Sequence, residues 1–420
     1  MSFIRVVDAK NTKELPFIEM LFIMFSLFYY ILPSFDKINF VLIFCVYLIY
    51  LVYVIQRMPI KYAKYAFTIL VLSLIISACY FIFTSTSTID ASVSFYHLKR
   101  ILSKFSQVFF NFFPLVLFVR IVYRGSYKQK RFICCAIAIL LLFVVIQTRQ
   151  ELKLYADATR DWAYTEKENE NAGGYAFVYA ISAIVPTLLI GFHYAKDKWK
   201  ILTAIIIFLT FGFLLSAQYT LAIMLAIISL LTHVFVSSTN NKIKIIVAVC
   251  LPLVYILLPF VLYAIANKVE SYSVSLRVTE VADFLSFGER GYNLGSRMEL
   301  YNKTIIAFFK SPIYGNRYLG FDGHATLLTI LSDVGLLGGI PYYYLFFSAR
   351  NRIKEVLGKT DYKVYFPVFL SFILMGLTNP IHSARPLYIV VWLLAPLLVV
   401  LFKEKEEKKK EVDKSGKMEN

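Results

Sequence analysis

The polar residues best suited to chemistry lie close together in the last third of the chain. Arg297-Met-Glu-Leu-Tyr301 is followed by Pro312-Ile-Tyr-Gly315, by His324 and by Gly335-Leu-Leu-Gly338. A neutral imidazole can take a proton from a hydroxyl, and arginine offers a planar, permanently charged fork that binds phosphate oxygens in pairs. The segment therefore predicts proton and phosphate chemistry beside a membrane span.

Further candidate ligands for an anion lie in polar segments that separate apolar runs. Two long loops, residues 148–174 and 267–323, and a short connection, residues 378–386, supply them. The candidates are Arg160, Arg277, Arg290, Arg317 and Arg385, and Asp322 is placed to orient His324. Each arginine can equally pair with a nearby carboxylate or a lipid headgroup. His324 itself can be a hydrogen-bonded cap at a membrane interface.

Metal and nucleotide chemistry have no sequence support. No two histidines have metal-ligand spacing, and the chain has no HExxH, no DxD-type acidic cluster and no Walker A loop. We therefore expect neither a metal nor a cofactor. The five cysteines lie in apolar runs and are interpreted as packing residues.

The surrounding chain indicates an all-α polytopic membrane protein. Of 420 residues, 59% are hydrophobic and 17% charged, with a mean hydropathy of +0.65, which excludes a soluble enzyme. The apolar runs predict about twelve spans: Phe17 to Leu32, Ile38 to Ile55, Tyr65 to Phe83, Phe105 to Tyr123, Phe132 to Gln147, Tyr175 to Phe192, Ile201 to Leu215, Tyr219 to Val236, Ile245 to Ala266, Ala325 to Phe347, Val364 to Leu377 and Leu387 to Phe402.

The distribution of basic residues predicts the sidedness of these spans. Basic segments flank residues 201–236 on both sides, so the positive-inside rule requires the chain to turn back near Ser216. Both termini are then cytoplasmic. Residues 1–402 form one transmembrane domain with extracytoplasmic loops 148–174 and 267–323, and 403–420 form a charged cytoplasmic tail. The net charge of +17 is interpreted as topogenic, so no nucleic-acid partner is expected.

The motifs quoted above resemble the signature of the bacterial O-antigen polymerase and O-antigen ligase family. In that family an Arg-x-x-x-Trp/Tyr segment precedes a Pro-x-x-Gly turn, and a His at the outer mouth of a span precedes Gly-x-x-Gly. Two positions depart from the family pattern, Ala325 after the histidine and Ser216 at a corner where ligases usually carry Arg. The second departure favours the polymerase branch.

The resemblance implies a helical membrane glycosyltransferase of the GT-C-like type in the bacterial inner membrane. It would join glycan repeat units carried on polyprenyl pyrophosphate, without a metal and with inversion. His324 would act as general base, Arg297 would stabilise the leaving pyrophosphate, and the other arginines would assist binding. The expected partners are the lipid-linked donor and acceptor, the bilayer and a protein that regulates chain length.

Two other functions remain open at this stage. A ligase would use the same donor with a lipid A core acceptor. A flippase or other transporter of lipid-linked oligosaccharides can also have twelve spans, but it should place charged residues inside them. Arg120 stands nearly alone among charged residues within the predicted spans.

The predicted sidedness can be tested by cysteine-accessibility labelling in intact cells. We expect a cysteine at Ser286, in the second long loop, to react with an impermeant reagent. A cysteine at Ser415, in the charged tail, should react only after the membrane is opened, because the positive-inside rule keeps that tail in the cytoplasm. Equal labelling of the two positions would contradict the arrangement.

Overall fold

Helices make up all the regular structure that we describe. The computed structural model describes residues 14–82, 91–154, 170–195, 198–217, 219–237, 241–268, 272–287, 292–316 and 325–415. The helices are α1 (Phe17–Ile31), α2 (Phe40–Ile55), α3 (Ile60–Ile82), α4 (Ala91–Arg124), α5 (Tyr127–Leu154), α6 (Tyr175–Tyr194), α7 (Lys198–Ser216), α8 (Thr220–Ser237), α9 (Asn241–Ala266), α10 (Tyr272–Phe287), α11 (Tyr292–Lys310), α12 (Thr326–Thr378), α13 (Arg385–Ile389) and α14 (Ala395–Ser415).

Length and composition of these helices confirm the all-α membrane class. Within the described ranges, seven helices are long and apolar enough to cross a membrane, and three shorter apolar helices accompany them. Large apolar side chains on α7 are exposed, among them Ile201, Phe208 and Leu209. Such a surface is compatible with lipid rather than with water.

The last apolar helix lies at the centre of the bundle. α13 continues through a π-helical segment, Val390–Leu394, into α14, and its residues from Leu387 to Ala395 are buried. The ring of Trp392 packs against Phe372 and Phe346, with ring centroids 5.1 and 6.0 Å apart. α1, α4, α5, α6 and α12 pack around this helix, so it holds the bundle together.

A buried ion pair joins α1 to α4. The Arg120 guanidinium donates from Nε and Nη2 to both carboxylate oxygens of Glu19, at 2.9 and 2.6 Å. Its Nη1 donates to the carbonyl of Arg57 at 3.0 Å. Arg120 is therefore not nearly alone in the predicted spans, because Glu19 lies in the first of them and neutralises it, and Asp333 lies in the span predicted from Ala325. Removing either partner would leave a buried charge without compensation.

α12 is not one straight rod, because its backbone leaves the helical region at Gly335 (φ 57°) and Gly358 (φ 81°). After Gly358 the chain doubles back, so Phe346 contacts both Phe369 and Phe372. After Gly335 it also bends sharply. The Tyr343 hydroxyl donates to the carbonyl of Leu327 at 2.5 Å, although 16 residues of straight helix would separate the two by about 24 Å.

This bend corrects the predicted span from Ala325 to Phe347. Residues 326–334 form a short helical segment that folds back against the helix after Gly335. The start of this segment is fixed to the far end of α12, since the backbone nitrogen of Thr326 donates to the carbonyl of Asn379 at 3.1 Å. The continuous helix that follows the bend comprises residues 336–357.

A turn that follows α11 fills the break at Gly335. The nitrogen of Leu336 donates to the carbonyl of Pro312 at 2.8 Å, and the nitrogen of Asn316 donates to the carbonyl of Ser332 at 2.6 Å. Gly315 (φ 83°) faces Gly335 across this contact. The turn thus supplies hydrogen-bond partners for backbone amides and carbonyls that have none within the helix because of the break.

The charged chain end is anchored to the bundle over its first turns. α14 extends to Ser415, beyond the predicted last span. Lys403 donates to Asp361 at 2.6 Å, and Glu404 pairs with Lys130 of α5. The predicted tail therefore begins as a docked helix.

The close contact between Gly315 and Gly335 predicts that replacing either glycine by alanine lowers the stability of the protein, whereas replacing a glycine with open space around it does not. A Cβ on Gly335 would lie 2.6 Å from the nitrogen of Gly315, and one on Gly315 would lie 2.6 Å from the nitrogen of Val334. Both residues also have positive φ. We expect Gly335→Ala and Gly315→Ala each to destabilise the protein by at least about 1–3 kcal/mol, from backbone strain alone.

Gly212→Ala in α7 is the matched control, because nothing lies within 4 Å of its added Cβ. Alanine is the better helix former, so this variant should match or slightly exceed the wild type in stability. Thermal unfolding of the three variants in one detergent measures the difference. Equal unfolding temperatures would contradict the tight contact at Gly335.

Candidate functional site

The structure describes only part of the predicted site. Arg160, Arg290, Arg317, Asp322 and His324 lie outside the described residues. Arg277 belongs to α10 and Arg297 to α11, where the backbone is described and the side chains are not. Arg385, at the start of α13, is described in full.

Three separate contacts bring the flanking segments of this site together. The first is the turn at residues 312–316 on the Gly335 break. The second joins α11 to the end of α12, where the Tyr301 hydroxyl lies 3.3 Å from the carbonyl of Thr378 and donates to it. Arg297 precedes Tyr301 by four residues, so their Cα positions share one side of α11.

The third contact lies where α12 begins, just after His324. The backbone nitrogen and Oγ1 of Thr326 both donate to the carbonyl of Asn379, at 3.1 and 3.2 Å. Asn379 is buried and opens the turn that carries His382 and Arg385. All three contacts therefore gather at one end of the bundle, which we call the α12–α13 end.

His382 is held neutral at this end. Burial, with a smaller contribution from the charge of Lys104, lowers the pKa of His382 from 6.5 to about 4. At neutral pH its imidazole therefore offers one nitrogen as a hydrogen-bond acceptor and the other as a donor. A neutral imidazole at this position suits either a ligand-binding group or a hydrogen-bonded structural cap.

Arg385 packs on an aromatic ring. Its guanidinium carbon lies 4.4 Å from the centroid of the Tyr29 ring, on α1. This cation–π contact helps to hold the guanidinium at the α12–α13 end. Arg385 is partly exposed, so the packed face still leaves part of the side chain open to solvent.

Three further polar residues are connected to one another, and one of them, Lys104, acts electrostatically on His382. The Lys104 ammonium lies 5.2 Å from the centroid of the Tyr80 ring and donates to Oε1 of Gln107 at 3.3 Å. The Tyr80 hydroxyl lies 3.4 Å from Oδ2 of Asp333. Lys104, Asp333 and His382 are each partly exposed, whereas Tyr80 is buried.

Sequence reasoning missed Lys104, Tyr80 and Asp333. Asp333 lies inside a predicted span, and an ionisable residue in a span is by itself a signal of function. Lys104 lies at the edge of the predicted span from Phe105, where it was counted with the topogenic charges. Nothing in the sequence links residues 80, 104, 333 and 382, since only the fold brings them together.

The comparisons with known proteins add no relative. No protein-family model and no curated protein matches the chain. The class of the protein is therefore defined by its structure. It is an all-α membrane protein with partly exposed polar residues at one end of its helix bundle.

The neutral state of His382 predicts a dependence of protein stability on pH. Since its pKa is lower in the folded protein, its contribution to stability is complete above pH 6.5. It declines as the pH falls from 6.5 towards 4, where the unfolded chain binds the extra proton. We expect His382→Gln to lose less stability than the wild type over this interval.

Lys104→Gln provides an independent check. Without the ammonium, protonation of His382 becomes easier in the folded protein, so the acid-dependent loss should also become smaller. Unfolding temperatures of the three proteins at pH 7, 6, 5 and 4 measure the effect. Parallel curves for all three would show that His382 does not titrate as described.

Proposed function

We propose that this chain is a membrane glycosyltransferase that polymerises a bacterial surface polysaccharide, O-antigen or capsule. It would act on the outer face of the cytoplasmic membrane and join repeat units carried on polyprenyl pyrophosphate. The proposal rests on contacts that bring the segments of the sequence motif close together. The Pro312–Gly315 turn contacts Gly335, and the helix of Arg297 is bonded to the end of α12.

The proposed reaction is a single inverting displacement. A hydroxyl oxygen of the acceptor sugar attacks the anomeric carbon of the donor, and the bond from that carbon to the pyrophosphate oxygen breaks. His324 takes the hydroxyl proton as general base, and the polyprenyl pyrophosphate leaves with the bonding electrons. Arg297 stabilises its growing negative charge, assisted by Arg277, Arg290, Arg317, Arg160 and Arg385.

The proposal includes the finer parts of the architecture. We infer about twelve spans, a GT-C-like arrangement, an extracytoplasmic α12–α13 end and cytoplasmic termini in a bacterial inner membrane. Asp322 would orient His324, and positively charged side chains would supply the electrostatic stabilisation that a metal provides elsewhere. A chain-length regulator would be the protein partner.

Two alternatives use related substrates. An O-antigen ligase would transfer the same donor to lipid A core, and a flippase would only move the lipid-linked unit. The buried charges argue against the flippase, because Arg120 and Glu19 bind each other bidentately. A fixed pair of this kind holds α1 against α4 and does not itself supply a mobile charge for transport.

A deletion strain of the source bacterium separates the three functions. Loss of the polymerase should leave a surface glycan capped with a single repeat unit. Loss of a ligase should leave free lipid-linked polymer, and loss of a flippase should leave repeat units on the inner leaflet. A normal surface polysaccharide in the deletion strain would contradict all three.

Complementation with point variants tests the assigned roles. We expect His324→Ala to lower the polymerisation rate by about two to four orders of magnitude, since a general base is lost. Arg297→Lys should also lose most activity, because the charge remains while the paired hydrogen bonds do not. Polymer length on gels and protein level in the membrane are the measurements.

Matched substitutions at exposed positions outside the proposed site, His193→Ala and Arg131→Lys, are the controls and should support normal polymer. Normal polymer from His324→Ala or Arg297→Lys at normal protein level would remove that residue from the mechanism.

A further inference from the structure

The polar group at the α12–α13 end combines hydrogen-bond donors with acceptors. Lys104 is a donor, the Asp333 carboxylate is an acceptor and neutral His382 is both, while the Tyr80 hydroxyl donates to Asp333. These residues come from α3, α4, α12 and the turn after α12, and three of them are partly exposed. Lys104 and Asp333 both contact Tyr80, and Lys104 acts electrostatically on His382, so the fold connects residues that are far apart in the sequence.

The charges of this group favour a neutral ligand over a phosphate. Lys104 carries one positive charge and Asp333 one negative charge, and His382 is neutral at physiological pH. An anion would be attracted by Lys104 and repelled by Asp333, so the group offers it little net stabilisation. A polyhydroxylated ring can instead donate to Asp333, to His382 and to the Tyr80 oxygen, and it can accept from Lys104 and His382.

One residue of the group, Asp333, contacts the Pro312–Gly315 turn of the sequence motif. Asp333 precedes the Gly335 break by two residues, and its backbone lies directly against Gly315 of the turn after α11. The carbonyl oxygen of Ser332, the residue before Asp333, accepts a hydrogen bond from the backbone nitrogen of Asn316 at 2.6 Å. A ligand held by Asp333 would therefore lie beside the turn that leads from α11 to the His324 segment.

We propose that Lys104, Tyr80, Asp333 and His382 form a carbohydrate subsite that binds hydroxyl groups of the glycan. The subsite deepens the proposed function, on which its assignment to the acceptor sugar rests. The subsite should bind a glycan that carries neither lipid nor pyrophosphate, because none of its four residues is assigned to binding the pyrophosphate. This property distinguishes it from the proposed pyrophosphate site.

The test measures glycan binding apart from catalysis. The probe is the repeat oligosaccharide released from the source bacterium's surface polysaccharide, free of lipid and phosphate. Its binding to the purified full chain in detergent is titrated by saturation-transfer NMR. We expect binding by the wild type that inorganic pyrophosphate does not displace.

Asp333→Asn and Lys104→Gln should each weaken this binding by about tenfold or more, because each removes a charged hydrogen-bonding group. Tyr80→Phe removes only a hydroxyl and provides a milder variant of the same subsite. Asp361→Asn, an aspartate of α12 that lies after the Gly358 break and pairs with Lys403, is the matched control and should bind as the wild type does. Unfolding temperatures verify that each variant is folded.

The outcomes separate the subsite from the proposed function. Absence of binding by the wild type, displacement by pyrophosphate, or equal affinity in folded Asp333→Asn and Lys104→Gln would overturn the subsite. Oligosaccharide binding that these variants weaken, in a protein whose deletion leaves normal polysaccharide, would uphold the subsite and reject the polymerase.

Discussion

The helix break at Gly335 can exist only because another part of the chain satisfies its backbone. Within a membrane bundle an unpaired amide or carbonyl costs several kcal/mol, so a span can bend only where partners are supplied. Here the partners are the carbonyls and nitrogens of residues 312–316. The turn is thus a structural part of the bundle, and α11 is attached to α12 through it. Glycine is required on both sides because neither position has room for a Cβ.

This constraint determines where polar side chains near the bend can lie. Folding back at Gly335 keeps residues 326–334 at the α12–α13 end, where Thr326 binds Asn379 and Asp333 meets Tyr80. In a straight helix Thr326 would lie about 13 Å beyond Gly335 along the axis of the helix that follows. The same bend therefore brings Asp333 towards α3 and α4 and holds the start of α12 beside His382.

Much of the helical architecture could be predicted from the sequence, because a long apolar run is stable only where lipid or protein surrounds it. The predicted span from Tyr175 agrees with α6, and the division near Ser216 agrees with the end of α7. The run from Ala325 to Phe347 was misread because hydropathy is the same for a straight helix and for one that folds back. What distinguishes them is the positive φ of Gly335 and its contact with Gly315, which are separated by 20 residues of sequence. The motif residues were found locally, whereas Lys104, Tyr80 and Asp333 depend on contacts across three helices.

Charged residues in the apolar runs differ in what their surroundings allow. Glu19 and Arg120 are buried and use the guanidinium fork and both carboxylate oxygens on each other, so a ligand could bind there only by breaking a desolvated pair at a cost of several kcal/mol. Asp333 and Lys104 are partly exposed and both contact Tyr80, so a ligand there would not have to separate a fully desolvated ion pair. The ion pair therefore contributes to the stability of the bundle, and the proposed subsite lies where the desolvation of charge is smaller.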